Sequence, residues 1–307
     1  MALLMGIDVG GTNLRIGIFD GLKLVDESRF QADFASICQK HSPKVAWQQI
    51  LNMTENAIRA TQTKHAEITA IGIGFPGFID PVTKIIAQSP NLAGLKDVNL
   101  AANLSQRLGK KVVVENDANA AAYGEYCLAL QPIGGLIYLG LGTGVGGGMV
   151  DANGSLHLGA HGVAMEIGHI IIEPNGRQCG CGNLGCMEQY ASASGVVATY
   201  LHATQQQLSA MEIAQLAKHG DANAIAAYDL AANALAQALA SILKVVDVKN
   251  VVIGGGLTGA WPLMQKTFLA RLEADLIPVL RGKINVMIST THDQAGMLGA
   301  AMLASLA

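Results

Sequence analysis

Three cysteines and one histidine lie close together in this sequence, in a pattern typical of a metal site. Cys179, Cys181 and Cys186 form a Cys-x-Cys-x4-Cys motif, and His169 precedes the first of them by ten residues. Thiolates plus an imidazole suit a four-coordinate zinc ion, and four protein ligands leave no position for a reacting water. The pattern therefore predicts a structural zinc site. A disulfide would leave one cysteine unpaired, and incidental cysteines in a turn are the other alternative.

Two carboxylates, Glu166 and Glu188, flank this cysteine-rich loop. A loop made rigid by a metal ion would hold both acids in fixed positions. Carboxylates accept hydrogen bonds from hydroxyl groups well, so the residues alone point to a polyol or a sugar as ligand. Surface ion pairs are the alternative role for the two acids.

A second polar group follows an apolar strand at 112–114 and precedes an Ala-rich helix. It contains Asn116 and Asp117. Open α/β sheets bind their ligands at the carboxyl ends of strands, which is where this group is expected to lie. A helix cap is the alternative role, and one residue can serve as both a cap and a catalytic base.

Glycine-rich turns join strands at two places, and a third glycine run follows the strand at 251–253. The first two turns lead into strands, so they match neither a P-loop nor a dinucleotide fingerprint, which precede helices. Glycine still lets backbone N–H groups approach a phosphate, although an ordinary hairpin is the alternative. Asp8, before the first turn, could hold a magnesium ion through water. The two similar turns suggest an internal duplication.

Composition limits the function classes. The 307 residues predict about two domains, and the 50% hydrophobic content supplies a large core. The net charge of −3 argues against a general nucleic-acid or membrane-surface partner. No signal peptide is recognisable, and the uncharged run at 133–150 is interpreted as strand, turn and strand instead of a membrane span. We therefore expect a cytoplasmic protein, with Cys38 and Cys127 as core thiols.

Taken together, the motifs resemble those of the ROK family (repressor, open reading frame, kinase) of bacterial sugar kinases, over nearly the whole chain. The most specific are Glu166-Ile-Gly-His169 and the cysteine motif that ends at Glu188. The resemblance implies an α/β, two-domain actin-like ATPase fold with a cleft between the domains. A smaller N-terminal α/β domain would cover 1–116, with the closing helix 293–307 packed back on it. A larger C-terminal α/β domain with the zinc loop would cover 117–292.

The resemblance also implies an activity, the ATP-dependent phosphorylation of a hexose, with glucose as the favoured substrate and glucose 6-phosphate as product. Asp117 matches the catalytic base, which would take the proton of the attacking hydroxyl, and Asp8 would lie near Mg²⁺. The positions that match hexose-binding residues are Asn91, Asn116, Asp117, Glu166, His169 and Glu188. The positions expected at the ATP site are Asp8, Gly10, Gly11, Thr12, Gly142, Thr143, Gly144, Gly254, Gly255 and Gly256. His169, Cys179, Cys181 and Cys186 match the zinc ligands, and a homodimer is expected.

Several alternatives stay open. Fructose, mannose, allose, N-acetylglucosamine or N-acetylmannosamine could replace glucose as substrate. A sugar-responsive repressor is disfavoured because only about two residues precede the first strand, and a sensor without turnover is disfavoured by the retained Asn116 and Asp117. Two departures from the family pattern concern the sites. Met165 replaces a usual glycine, and Asn13 replaces a common lysine, for which Arg15 would supply the positive charge.

Overall fold

A computed structural model of the chain describes residues 3–10, 12–89, 92–291 and 294–307. Its backbone forms two compact units. The first comprises Met1–Ile133, Gly148–Ala164 and Asp293–Ala307, and the second comprises Gly134–Gly147 and Met165–His292. The helix that begins at Asp117 belongs to the first unit, and the domain boundaries expected from the sequence stay a prediction.

The regular elements of the described chain alternate between strands and helices, as expected for an α/β protein. The strands are β1 (Leu3–Val9), β2 (Asn13–Asp20), β3 (Lys23–Gln31), β4 (Ile68–Phe75), β5 (Phe78–Ile79), β6 (Ile86–Gln88), β7 (Lys96–Val98), β8 (Val112–Asn116), β9 (Leu136–Leu141), β10 (Val145–Val150), β11 (Asn250–Gly254) and β12 (Asn285–Ile288). The helices are α1 (Phe34–Lys40), α2 (Pro43–Gln62), α3 (Leu100–Leu108), α4 (Asp117–Leu128), α5 (Glu188–Ala191), α6 (Ala193–Thr204), α7 (Ala210–Lys218), α8 (Ala222–Val246), α9 (Trp261–Asp275) and α10 (Gln294–Leu306).

The first unit is built on a five-stranded sheet with the order β3-β2-β1-β4-β8. β1 and β2 form the hairpin that the sequence predicts, in antiparallel register from Leu4↔Phe19 to Val9↔Leu14. β1, β4 and β8 run parallel, so their carboxyl ends lie at one edge of the sheet. Their alternate apolar residues are buried in a single core with α2 and α3. That edge carries Asp8 and Asn116, the residues that the sequence marked for chemistry.

Helix α10 lies directly on this sheet because two strand positions are glycine. A Cβ on Gly6 of β1 would overlap the carbonyl of Met297, and a Cβ on Gly72 of β4 would overlap the carbonyl of Ala300. Gly124 of α4 makes the same kind of approach to Ala295. Because these positions have no side chain, the backbone of α10 packs directly against the sheet.

The second unit is built on a four-stranded sheet with the order β10-β9-β11-β12, in which β9, β11 and β12 are parallel. Its central helix, α8, begins at the N-cap Asp221 and is rich in buried alanine and leucine. By length and composition alone, α8 could cross a membrane, but half of its most apolar window is buried inside the protein. A core helix passes the same test, because a helix that is apolar nearly all round is buried.

Candidate active site and metal centre

The predicted metal ligands come together in the second unit. The ligand atoms of His169, Cys179, Cys181 and Cys186 all lie within 4.8 Å of one another. Cys179 Sγ is 3.6 Å from His169 Nδ1, and Cys181 Sγ is 3.6 Å from Cys186 Sγ. A tetrahedral ion with sulfur at ~2.3 Å and nitrogen at ~2.0 Å separates its ligand atoms by about 3.6–3.8 Å. The four side chains therefore fit one tetrahedral metal ion.

The thiols of the cluster differ in their affinity for protons. Burial raises the pKa of the Cys186 thiol to about 12, whereas a hydrogen bond from the backbone of Asn183 lowers the pKa of Cys181. Because metal ligands must be deprotonated, binding of a cation to this cluster has to release protons. Metal retention by the loop is therefore expected to weaken in acid.

The loop reaches this geometry through short backbone hydrogen bonds and two glycines in the left-handed region. Cys179 N–H donates to Asn183 O at 2.9 Å, which closes a tight turn around Cys181. Gly182 and Gly185 have φ angles of +97° and +77°, which disfavour any residue with a Cβ. At Gly185 a Cβ would also overlap the carbonyl of Glu173.

Arg177 holds the loop against the helices that follow, a role that the sequence analysis missed. Its guanidinium donates to the carbonyl of Gln189 at 2.7 Å and to Thr199 Oγ1 at 2.9 Å. The same group lies over the ring of Tyr190, 4.6 Å from its centroid. Planar, multidentate donation of this kind fits arginine and not lysine. In the sequence, the signal for this role was the position of Arg177, two residues before the first cysteine.

His169 presents its two ring nitrogens to different partners. It ends a short 3-10 helix, Ile167–His169, that follows Glu166 directly. Nδ1 faces the thiol of Cys179, and Nε2 is 3.9 Å from Glu166 Oε2. This arrangement leaves Nδ1 for the metal ion and directs Nε2 toward the carboxylate expected to bind the ligand.

Glu188, the first residue of α5, joins the metal loop to the turn between β9 and β10. Its Oε2 accepts the backbone N–H of Val145 at 3.0 Å, and its Oε1 is 4.0 Å from Cys179 Sγ. A Cβ on Gly144 would overlap Oε2, so a larger residue there would displace the carboxylate. The structure thus brings a predicted hexose-binding acid into contact with a predicted phosphate turn.

The second and third glycine runs are neighbours in this unit. Gly254 pairs with Gly140 between β11 and β9, so both strands end at the same level of the sheet. Gly255 has a φ of +87°, and a Cβ there would overlap the carbonyl of Leu141. The turns at Gly142–Gly144 and Gly254–Gly256 therefore lie side by side, as two parts of one ligand site require.

In the first unit, Asp117 stands at the N-terminus of α4, directly after β8. Its side chain is half-buried, and its Oδ1 accepts the N–H of Ala118 at 2.9 Å. Burial raises the pKa of Asp117 above its usual range, and the backbone hydrogen bonds oppose this shift only in part. A carboxylate with a raised pKa is a stronger base than an exposed aspartate, as general-base catalysis requires.

Neighbouring polar groups fix the backbone on which Asp117 sits. Asn116 is the N-cap of α4, since its Oδ1 accepts the N–H of Asn119 at 3.0 Å, and its Nδ2 donates to Gly77 O at 3.1 Å. The buried Glu115 accepts from Asn116 N–H and from Asn119 Nδ2. Asn116 is thus a helix cap, and its side chain is already engaged on both sides. Glu115 and Asn119 were not among the residues predicted for the site.

Asp8 and the first glycine turn lie at the same sheet edge. Asp8 pairs with Gly74 of β4, and Gly74 pairs with Glu115 of β8. Within the turn, Gly10 N–H donates to Asn13 O at 2.9 Å. Arg15, the expected source of positive charge, donates through its guanidinium to Glu27 Oε1 at 3.0 Å. Its positive charge is therefore paired with a carboxylate, and its role in place of a lysine stays a prediction.

Two predicted site residues, Gly11 and Asn91, lie outside the described residues. Met165 has a φ of +65°, a backbone conformation that favours glycine over residues with a side chain. A Cβ on Gly147 would lie 2.6 Å from the carbonyl of Met165, so the strand and this residue are in close contact. The methionine therefore holds a strained backbone immediately before Glu166.

Comparisons with known proteins agree with this geometry. The chain matches the ROK family over residues 4–306. It is 32% identical to a glucokinase of Thermotoga maritima, over 98% of this chain and 96% of the relative. It is 34% identical to an N-acetyl-D-glucosamine kinase of Shigella boydii, over 97% and 98%. The crystal structure of a ROK family glucokinase from Streptomyces griseus, in complex with glucose and AMPPNP, superimposes with a TM-score of 0.82 at 29% identity and covers 100% of both chains.

The chain therefore belongs to the ROK family. The expected α/β ROK hexokinase fold of the actin-like ATPase class is confirmed by the match to the Streptomyces structure and by a TM-score of 0.83 to a ROK hexokinase from Thermus thermophilus.

Proposed function

We propose that this protein is an ATP-dependent hexose kinase that converts glucose into glucose 6-phosphate. Full-length similarity to proteins named glucokinase supports the reaction class and the substrate. The structural observation that carries the proposal is Asp117, a half-buried carboxylate with a raised pKa at the end of a parallel strand. Such a group is suited to remove the proton of a sugar hydroxyl.

In the proposed reaction, Asp117 takes the proton of the hexose hydroxyl while that oxygen attacks the γ-phosphorus of ATP. The bond from the γ-phosphorus to the bridging oxygen breaks, and ADP leaves. Phosphoryl transfer depends mainly on positioning and on neutralisation of phosphate charge. The hydrogen bond from Ala118 N–H would hold the carboxylate in one orientation during this step.

We propose that ATP is bound by backbone N–H groups of the glycine turns. The turns at Gly10–Thr12 and Gly142–Gly144 would hold the phosphates, and Gly254–Gly256 would lie by the adenosine. Asp8 would hold the Mg²⁺ that accompanies ATP, because carboxylates bind magnesium directly or through water. Its place at the end of β1, beside the turn, suits that role.

The hexose hydroxyls are proposed to bind Asn91, Asn116, Glu166, His169 and Glu188. The ligand cluster beside them fits a structural Zn²⁺, because three thiols and one imidazole fill all four positions. His169 and the three cysteines would hold such an ion, which would stabilise the fold of the loop and take no part in the chemistry. His169 would link the loop to the hexose site, because its Nε2 faces Glu166.

N-Acetylglucosamine is the second candidate substrate, since the Shigella boydii kinase named for it is 34% identical over nearly the full chain. We favour glucose because the acidic pair Glu166 and Glu188 suits unmodified hydroxyl groups. A cytoplasmic homodimer is also proposed, and light scattering after size exclusion tests the subunit number.

A competition experiment separates the two sugars. The enzyme is given limiting Mg²⁺-ATP with equal concentrations of glucose and N-acetylglucosamine, and the products are identified by mass spectrometry. Glucose 6-phosphate is expected as the dominant product. Dominance of N-acetylglucosamine 6-phosphate would keep the mechanism and replace the substrate.

A further inference from the structure

The turn between β9 and β10 is held at both of its ends by one short segment, residues 188–193. Ala193 N–H donates to the carbonyl of Gly142 at 3.0 Å, where the turn begins. Glu188 Oε2 accepts the N–H of Val145 at 3.0 Å, where the turn ends. Inside the turn, Gly142 N–H donates to Gly144 O at 2.9 Å. The shape of the turn is therefore set partly by groups outside the hairpin.

The contact between Glu188 and the turn is close-packed as well as hydrogen-bonded. A Cβ on Gly144 would overlap the carboxylate of Glu188. A Cβ on Gly168 would overlap the carbonyl of Val145 and lie 3.5 Å from Glu188 Cβ. With glycine at both positions, the Glu188 side chain lies directly against the backbone of the turn. Close-packed contacts of this kind transmit a displacement of one group to the other.

The same side chain reaches the metal cluster. Glu188 follows the ligand Cys186 by two residues, and Gln189 N–H donates to Cys186 O at 3.0 Å. Glu188 Oε1 is 4.0 Å from Cys179 Sγ, while Oε2 is on Val145. One carboxylate thus spans the distance between the metal loop and the glycine turn.

We propose that Glu188 is a positioning residue for the nucleotide, in addition to its proposed contact with the hexose. By fixing Val145 N–H, it holds the Gly142–Gly144 turn in the shape that receives the ATP phosphates. The inference rests on the proposed function, since it assigns that turn to ATP. It predicts that part of the nucleotide affinity depends on Glu188 when no hexose is present.

Two substitutions of similar size separate the hydrogen bond from packing. Glu188→Met keeps the length of the side chain but removes the acceptor, whereas Glu188→Gln keeps an acceptor oxygen and removes the charge. Binding of AMPPNP with Mg²⁺ is measured by calorimetry without sugar. Glu188→Met is expected to weaken binding by roughly tenfold, because a hydrogen bond to a charged group is lost. Glu188→Gln should restore most of that loss.

Glu166→Ala is the matched control, since it removes the other predicted hexose-binding acid of this unit. It should lower glucose affinity and leave AMPPNP affinity unchanged. Metal content and Tm are recorded for each variant, and Glu188→Ala replaces Glu188→Met if the latter does not fold.

Two results discriminate the inference from the proposed function. If Glu188→Met retains its metal and wild-type AMPPNP affinity but loses glucose affinity, Glu188 serves the hexose alone and the inference is overturned. If the variants change AMPPNP affinity as expected but the wild-type enzyme phosphorylates no hexose, the positioning role stands and the proposed function fails.

Discussion

Asp117 lies where a catalytic base is expected, and burial of its charge lowers the stability of the folded protein. Burial raises its pKa, so the folded protein binds this proton more tightly than the unfolded chain does. The folded state therefore loses stability as pH rises from the unfolded pKa through the raised folded pKa, and above the folded pKa the full cost of burying the charge is present. A residue that destabilises the fold is typically retained for its chemistry.

Asp117→Asn is predicted to lower kcat by about 10²–10⁴-fold, the usual contribution of a general base, with glucose affinity largely retained. The same substitution should raise Tm at neutral pH, because the neutral amide avoids the cost of burying a charge and can still accept from Ala118 N–H. Differential scanning calorimetry and steady-state kinetics test both effects. Near-normal turnover would remove Asp117 from its role.

The Tm difference should shrink in acid, and the acid limb of kcat should lie above the pH expected for an exposed aspartate.

Met165 departs from the glycine expected at this position, and its backbone conformation predicts an effect on stability. An L-residue at φ +65° has a steric cost that glycine avoids. Met165→Gly should therefore be more stable than Met165→Ala by roughly 1 kcal/mol, after the larger entropy of unfolded glycine is subtracted. Chemical denaturation of the pair tests this difference. Equal stability of the two variants would show that the strain at 165 does not exceed the entropy cost of glycine.

At the scale of elements, the metal loop is a part of the second unit with little regular secondary structure of its own. It lacks regular strands and helices between the 3-10 helix Ile167–His169 and α5, with only isolated bridges such as Ile171↔Cys186 among the described residues. A loop of this kind obtains its stability from ligation and from side-chain contacts such as those of Arg177.

Cys181→Ser tests the contribution of the metal, because Cys181 is exposed and its loss removes little packing. An exposed substitution alone changes stability by about 0.5 kcal/mol or less. A clear fall in Tm, with metal content well below that of the wild type and weaker glucose binding, is the predicted result. Wild-type protein treated with a chelator should show the same fall in Tm and the same weaker glucose binding. Unchanged Tm and metal content would show that Cys181 is not a ligand of a structural metal ion, and the absence of metal from the wild type would show that the cluster is not a metal site.

Elements with a strong local pattern were predictable from the sequence. The β1–β2 hairpin, the β9–β10 strands and the buried helix α8 follow from alternation, glycine turns and an Ala-rich apolar stretch. β3 was not predicted, because it is an edge strand with exposed and polar residues along most of its length. Strands of this kind carry little periodic signal.

The contacts that complete the site were less accessible to sequence reasoning. Cysteine spacing sufficed to predict which four side chains come together in the loop, since the cysteines are close in sequence. The bond from Val145 to Glu188 joins residues 43 apart, and the pairing of Arg15 with Glu27 depends on the register of β2 and β3. Contacts set by tertiary register cannot be read from local spacing.

At the scale of the whole molecule, similarity to ROK kinases extends along the entire chain, so each proposed function of a motif is supported within one family. The motifs are also distributed over both units. Asp8 and Asp117 belong to the first, and Gly142–Gly144 and the metal loop belong to the second. A fragment that contains only one unit would therefore lack part of the proposed machinery.

The most direct test of the account is an ADP-release assay with Mg²⁺-ATP across glucose, mannose, fructose, allose, N-acetylglucosamine and N-acetylmannosamine, run beside Asp117→Asn. The account predicts ADP release that requires a hexose, is fastest with glucose and is nearly abolished in the variant. Absence of sugar-dependent ADP release with every hexose, while calorimetry still detects sugar binding, would contradict the kinase assignment and indicate a sugar sensor.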